Sequence, residues 1–203
     1  MPRTTLQNET IREKRKQSII NAGAKLFAIR GYDNVTSDDI AAEAKCSHGL
    51  FYHYFQSKKD LLKTLLIHAK ETFLAPIIES YNENEPGSEI FKRTIESVIT
   101  SINSSEINCY IVFLVLTVPT FNKELNKSFD RKFLSFLMNI IEKGQKEGKI
   151  ISGDPKIIAA NFYFMLLGMS YAKIRFQNHD EDNIYNKETF FSLFMNNLEE
   201  EGN

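Results

Sequence analysis

The side chains best suited to recognising another molecule lie close together in the first third of the chain. At helical spacing, one side of this stretch carries glycine, imidazole and phenol groups, at Gly49, Tyr52 and His53, with Leu50 and His48 flanking them. Imidazole and phenol groups donate and accept hydrogen bonds, and a glycine allows close approach to the backbone. Two phenylalanines on the opposite side indicate a buried face. The pattern predicts an amphipathic helix whose polar side binds another polymer or is only solvated.

Capping residues predict the elements that position this helix. Thr36 with Asp39, and Ser57 with Asp60, have the spacing of a capping box, and Ser47 is a further capping residue. These intervals predict two short helices joined by a tight turn, followed by a longer helix. Such a pair is a helix-turn-helix, whose second helix enters the major groove of DNA.

Three segments also carry a resemblance to a known family. They are Ala24-Lys-Leu-Phe-Ala-Ile-Arg-Gly-Tyr-Asp33, Thr36 to Ala44, and Ser47-His-Gly-Leu-Phe-Tyr-His-Tyr-Phe-Gln-Ser-Lys58. Through them the chain resembles the N-terminal domain of the tetracycline-repressor (TetR) family of bacterial transcription regulators, with the helix-turn-helix at about residues 36–55. One position departs from that family, because Lys45 stands in the turn where the family usually has glycine. A left-handed backbone at a side chain costs on the order of 1 kcal/mol.

The resemblance implies a sequence-specific transcriptional repressor that binds a palindromic double-stranded DNA operator as a homodimer. It also implies release by a small effector. The many aromatic and few charged residues of the apolar stripes in the C-terminal half predict that this effector is lipophilic or aromatic. A DNA-binding protein without ligand control, either nucleoid-like or regulated by a partner, is the alternative. The residues expected at the DNA are Thr36, Ser37, Ser47, His48, Gly49, Leu50, Tyr52, His53, Tyr54 and Lys58.

Composition argues against several other classes. Residues 1–63 carry 11 Lys and Arg against 7 Asp and Glu in a chain of net charge −1, so positive charge gathers at the end expected to meet phosphates. No Gly-rich phosphate loop, HExxH or Gly-x-Ser-x-Gly motif occurs, which argues against an enzyme. Cys46 and Cys109 lack metal-ligand spacing, so neither a metal nor a cofactor is expected. Without a signal peptide or an apolar run of about 18 residues, we expect a cytoplasmic protein with no membrane contact.

The chain has 203 residues, 42% of them hydrophobic, and the spacing of its apolar residues predicts helices throughout. We therefore expect an all-α fold of about nine helices. Residues 12–72 would form a three-helix helix-turn-helix DNA-binding domain, and residues 73–203 a helical ligand-binding and dimerisation domain. A long fourth helix is expected from Ser57 to about Glu83, with a kink at Pro76.

Two sets of residues in the C-terminal domain are expected to have functional roles. Dimerisation is assigned to the last two long helices, the final one near Lys187–Glu200, through Gly168, Ala172, Phe190, Phe194 and Leu198. Packing within one chain is the alternative for each of these residues. By the resemblance, an apolar cavity with few polar groups would be lined by Tyr110, Phe113, Met138, Asn161, Phe162 and Met165, with His68 as a coupling residue.

Overall fold

The computed structural model describes residues 5–117, 123–176 and 186–196, which form two compact units, residues 1–68 and 69–203. The first unit contains the helices α1 (Thr5–Arg30), α2 (Ser37–Glu43), α3 (His48–Tyr54) and most of α4 (Lys58–Ala69). The second contains α5 (Ala75–Glu79), α6 (Gly87–Ser104), α7 (Glu106–Thr117), α8 (Lys123–Lys146), α9 (Pro155–Arg175) and α10 (Lys187–Phe194). Over the described ranges the fold is all-α, as predicted.

In the first unit, α1 supplies one wall of a small core. Ile19 and Phe27 of α1 are at most 2% exposed, as are Ile40 of α2 and Phe51 of α3. Gly31 ends α1 with φ +81, where its N–H donates to the Phe27 carbonyl at 3.0 Å. The helix begins at Thr5, and glutamine and glutamate in its first turns are good helix formers.

The run after α4 differs from the predicted kink. A π-helical segment, Lys70–Leu74, joins α4 to α5, and the Ala75 N–H donates to the Lys70 carbonyl five residues back. Pro76 has no N–H, and its ring crowds the carbonyl four residues earlier, which explains the wider turn just before it. The run ends at Glu79 rather than at about Glu83. Counted as one element, α4, the π-helical segment and α5 bring the described helices to the expected nine.

In the second unit, α6 packs on α7, α8 and α10, and α9 packs on α7 and α8. Its centre is an aromatic cluster in which ring centroids lie 5.5 to 6.3 Å apart, formed by Phe91, Phe162, Phe190 and Phe194. By length and hydropathy α9 could cross a membrane. One side of it nevertheless lies in this core, because Phe162 and Leu166 are at most 2% exposed.

The last described helix is shorter than predicted. It ends at Phe194, where Met195 takes an extended backbone and forms an isolated β-bridge with Ile150. The Ile151 N–H donates to the Phe194 carbonyl at 3.1 Å, so these bonds replace further helical ones. Leu198, expected at the dimer interface, lies outside the described residues.

Candidate functional site

The helix-turn-helix is built on the predicted caps. The Thr36 hydroxyl accepts from the Asp39 N–H at 3.1 Å, and the Thr36 N–H donates to the Asp39 carboxylate at 2.8 Å, which completes a capping box ahead of α2. Hydrogen bonds from the Thr36 hydroxyl and N–H lower the pKa of Asp39. The Ser47 hydroxyl accepts from the Leu50 N–H at 3.2 Å and so fixes the first turn of α3. These local bonds confirm the predicted starts of both helices.

The turn between the two helices contains the predicted left-handed residue. Lys45 has φ 52, the one positive φ outside glycine in the described ranges. The next N–H, of Cys46, donates to the Ala41 carbonyl at 2.9 Å and closes the turn. The turn therefore keeps its shape despite the strain of placing a side chain there.

The outer side of α3 is open to solvent. His48, Gly49, Tyr52 and His53 are all exposed, and a Cβ added at Gly49 would meet nothing within 4 Å. The His48 and Tyr52 rings lie 4.6 Å apart. On the inner side, Phe51 is fully buried. The structure thus places four of the residues expected at the DNA together on one accessible surface.

A basic groove adjoins this surface. The groove has a volume of about 440 Å³ and lies between α1 and the turn, where Lys14, Arg15, Lys45, Ser47 and Leu50 line it. Lys14 and Arg15 were not among the residues expected at the DNA, and the packing of α1 beside the turn places them in this groove. Cations beside exposed hydrogen-bonding groups suit a phosphate backbone.

Two of the residues expected at the DNA have roles inside the unit. The Tyr54 hydroxyl donates to the Arg12 carbonyl at 3.2 Å, which ties α3 to α1. The Lys58 ammonium donates to the carbonyls of Tyr32, Val35 and Asp33 at 2.9, 2.8 and 3.4 Å. It also lies 4.5 Å from the centre of the Tyr32 ring. Lys58 therefore holds the loop between α1 and α2 with all three of its donors.

Lys58→Met should consequently destabilise the first unit by about 2 kcal/mol, because two short charge-assisted bonds are lost and carbonyls lose their donor. Chemical denaturation measures the free energy of unfolding. The control is Lys63→Met, which removes an exposed lysine from the same helix. Equal unfolding free energies for the two variants would contradict this role for Lys58.

The second unit holds an apolar cavity of about 280 Å³. Its polar lining groups are the hydroxyls of Ser101 and Tyr163, which donate to the backbone carbonyls of Ser97 and Leu116. The lining residues are Ala69, Phe73, Val98, Ser101, Val112, Val115, Leu116, Phe133, Leu134, Leu137, Ala159, Ala160, Tyr163, Phe164 and Leu166.

The apolar character was expected, but none of the residues named for a ligand site lines this cavity. Tyr110 and Phe162 are buried at 2% and 0% exposure in the core, and Phe162 belongs to the aromatic cluster. Asn161 and His68 are exposed and line no part of the cavity. Phe113, whose ring faces Tyr171 at 6.4 Å, and the half-buried Met138 and Met165 also lie off the lining. The cavity is lined instead by neighbouring positions on α7, α8 and α9.

Of the residues expected at the dimer interface, two are buried within one chain and two have exposed surface. Phe190 and Phe194 are 0% and 3% exposed within one chain, so they have almost no surface to bury against a partner. Their stripe on α10 faces the core, which corrects the expectation. Gly168 is exposed, with nothing within 4 Å of an added Cβ, and Ala172 is half-buried.

Cys109 is a titratable group in the core of the second unit. Burial raises the pKa of Cys109 to about 11, and its thiol lies 3.7 Å from the Ser170 carbonyl, so it is a neutral core group. No cluster of three or more His, Cys, Asp or Glu residues that could hold a metal occurs among the residues whose structure is described.

Comparisons with known proteins match both the site and the fold. The model for bacterial regulatory proteins of the tetR family matches residues 19–65. The HTH-type transcriptional regulator HbdR of Aromatoleum sp. (strain CIB) is 44% identical over 61 residues, which cover 30% of this chain and only 27% of HbdR. The nucleoid occlusion factor SlmA of Haemophilus influenzae is 21% identical over 177 residues, 85% of this chain and 81% of SlmA. The crystal structure of AibR with isovaleryl coenzyme A and operator DNA has a TM-score of 0.64 at 19% identity and covers 88% of this chain and 94% of AibR.

A capped helix-turn-helix followed by a helical domain defines the class of helix-turn-helix DNA-binding proteins. Within that class, the match over residues 19–65 identifies the N-terminal unit as a DNA-binding domain of the tetR family of bacterial regulatory proteins.

Proposed function

We propose that this protein is a cytoplasmic repressor that binds a palindromic operator as a homodimer and is released by an uncharged apolar ligand. The observation that carries the proposal is the exposed outer side of α3, held at a fixed angle by the Ser47 cap and by the buried Phe51. One such helix per subunit reads one groove segment, so a two-fold symmetric dimer requires a two-fold symmetric site.

The position of a residue on α3 determines whether it would contact bases or the DNA backbone. His48, Gly49 and Leu50 form its first turn, which is the part of a recognition helix that reaches base edges. Tyr52 and His53 lie further along the same exposed side and would hold the backbone. Thr36, Ser37 and Ser47 stand at the starts of α2 and α3, where N–H groups favour phosphate oxygens.

A second copy of the chain is proposed to cover the exposed side of α9. Ile157, Phe164 and Tyr171 are 60%, 64% and 50% exposed, and Gly168 lies among them at helical spacing. Two such helices could approach closely at Gly168, with the half-buried Ala172 beside it. Large apolar interfaces of this kind are typical of obligate dimers.

The ligand is proposed to occupy the cavity of the second unit. Ala69, the last residue of α4, and Phe73 of the π-helical segment line the cavity, so a ligand touches the chain where it leaves the DNA-binding unit. AibR was crystallised with an acyl thioester and operator DNA, and the apolar lining here suits an acyl chain or an aromatic ring.

Footprinting on genomic DNA, with and without a panel of apolar acyl and aromatic compounds, tests the proposal. An inverted repeat should be protected, and at least one compound should release it while raising the melting temperature. Ala160→Phe should abolish this response and keep the footprint, because the ring fills the cavity. Ala160→Ser, which changes the volume little, should respond like the unaltered protein.

A protein that acts on DNA without ligand control is the second candidate, because the relative SlmA is a nucleoid occlusion factor and aligns over most of the chain. A footprint without an inverted repeat would contradict the proposed operator. A footprint that no apolar compound releases, but that a charged metabolite does, would contradict the proposed ligand.

A further inference from the structure

One side-chain pair on the proposed DNA surface links the two helices of the helix-turn-helix. Asp38, in the first turn of α2, accepts a hydrogen bond through Oδ1 from Nδ1 of His48, the first residue of α3. Both side chains are open to solvent, at 74% and 62% exposure. The pair therefore does little for stability, and its position suggests a role in recognition.

The bond determines which nitrogen of His48 carries the proton. A carboxylate only accepts hydrogen bonds, so the proton of the neutral imidazole must be on Nδ1. Nε2 then carries a lone pair and can only accept. The Tyr52 ring lies against the imidazole, with 4.6 Å between centroids, and limits its rotation further.

A fixed acceptor distinguishes between bases in the major groove. Adenine N6 and cytosine N4 offer amine donors there, whereas guanine O6, guanine N7 and thymine O4 are acceptors that would face the lone pair. The Asp38 carboxylate repels phosphates and is itself an acceptor, so it favours a base edge over the backbone as the partner of His48.

We propose that Asp38 is a positioning residue that holds His48 in the Nδ1–H form and thereby makes it select adenine or cytosine at one position of each operator half-site. This inference rests on the proposed function, in which the outer side of α3 reads DNA. It adds a determinant of base preference that acts through another residue.

The first test uses the full-length protein without DNA. Long-range ¹H–¹⁵N NMR at about pH 8, where ordinary imidazoles are neutral, reports which nitrogen of His48 carries hydrogen. The expected result is Nδ1–H in the unaltered protein and a loss of that preference in Asp38→Ala. An Nε2–H tautomer or a doubly protonated ring in the unaltered protein would overturn the inference.

The second test selects bound sequences from a library of palindromes with randomised half-sites. The unaltered protein should select adenine or cytosine at one position. In the His48→Ala and Asp38→Ala variants, the preference for adenine or cytosine at that position should fall by about threefold to tenfold. This is the range expected for the loss of one hydrogen bond. Asp33→Ala is the matched control, because it removes an exposed carboxylate of the same unit elsewhere and should leave every base preference unchanged.

The outcomes separate the inference from the function on which it rests. No consensus from the unaltered protein would refute sequence-specific DNA binding and the inference with it. A consensus that Asp38→Ala leaves intact, or changes at every position alike, would overturn the inference alone. Selection of guanine or thymine at the position controlled by His48 would also overturn it.

Discussion

Gly168→Glu is expected to convert the protein into a folded monomer that no longer holds its operator. The residue is exposed, nothing lies within 4 Å of an added Cβ, and a helical glycine gains helix propensity on replacement, so the single chain should keep its stability. In the proposed dimer the same change buries a carboxylate and prevents close approach of two α9 helices. Burial of an uncompensated charge costs about 3 kcal/mol or more, which weakens the dimer about 100-fold or more.

Sedimentation equilibrium measures the dimer dissociation constant, and far-UV circular dichroism with thermal melting checks the fold. Operator affinity should fall together with dimerisation, because two half-sites bound by one dimer reinforce each other. Gly168→Ala is the graded control, since a methyl group should weaken the dimer far less. A Gly168→Glu protein that remains a dimer with unchanged operator affinity would contradict the interface on α9.

Phe162→Ala is expected to be the most destabilising single truncation in the second unit. The ring is fully buried and meets Phe91, Phe190 and Phe194 at centroid distances of 5.5 to 5.9 Å. Its removal should leave a void among rigid neighbours and cost about 3 to 5 kcal/mol. The free energy of unfolding in denaturant is the measurement.

The matched control is Phe176→Ala, which removes the same side chain just after the end of α9, where the ring is 60% exposed. That variant should change the unfolding free energy by less than about 1 kcal/mol. The same variant distinguishes a role of Phe162 in the core from a role as a ligand contact. If its truncation reduced ligand response while leaving stability unchanged, the residue would be a ligand contact rather than part of the core.

The helix-turn-helix unit was predictable because its determinants are local. A capping box, a capping serine and a glycine C-cap act over three or four residues, so Thr36, Ser47 and Gly31 fixed the helix ends without knowledge of packing. Periodicity then separated the inner and outer sides of α3. The family resemblance rested on the same short stretch, which the match to residues 19–65 confirms.

The role of Lys58 was not predictable in this way. Its ammonium meets carbonyls 23 to 26 residues earlier in the chain, and a lysine at a helix start looks the same in sequence whether it faces phosphate or a loop. Only the packing of the loop between α1 and α2 against the start of α4 shows that the Lys58 donors are already used.

The sequence by itself determined the helices, the helix-turn-helix and the apolar character of the second unit, since each follows from short-range spacing and composition. Tertiary structure alone decided which apolar side of α9 and α10 faces the core and which faces a cavity. Both environments bury apolar groups, so the same stripe fits either of them. Phe162, Phe190 and Phe194 lie in the core as parts of the aromatic cluster. On α9, the cavity is lined by Ala160 and Tyr163 and not by Asn161 and Phe162 between them.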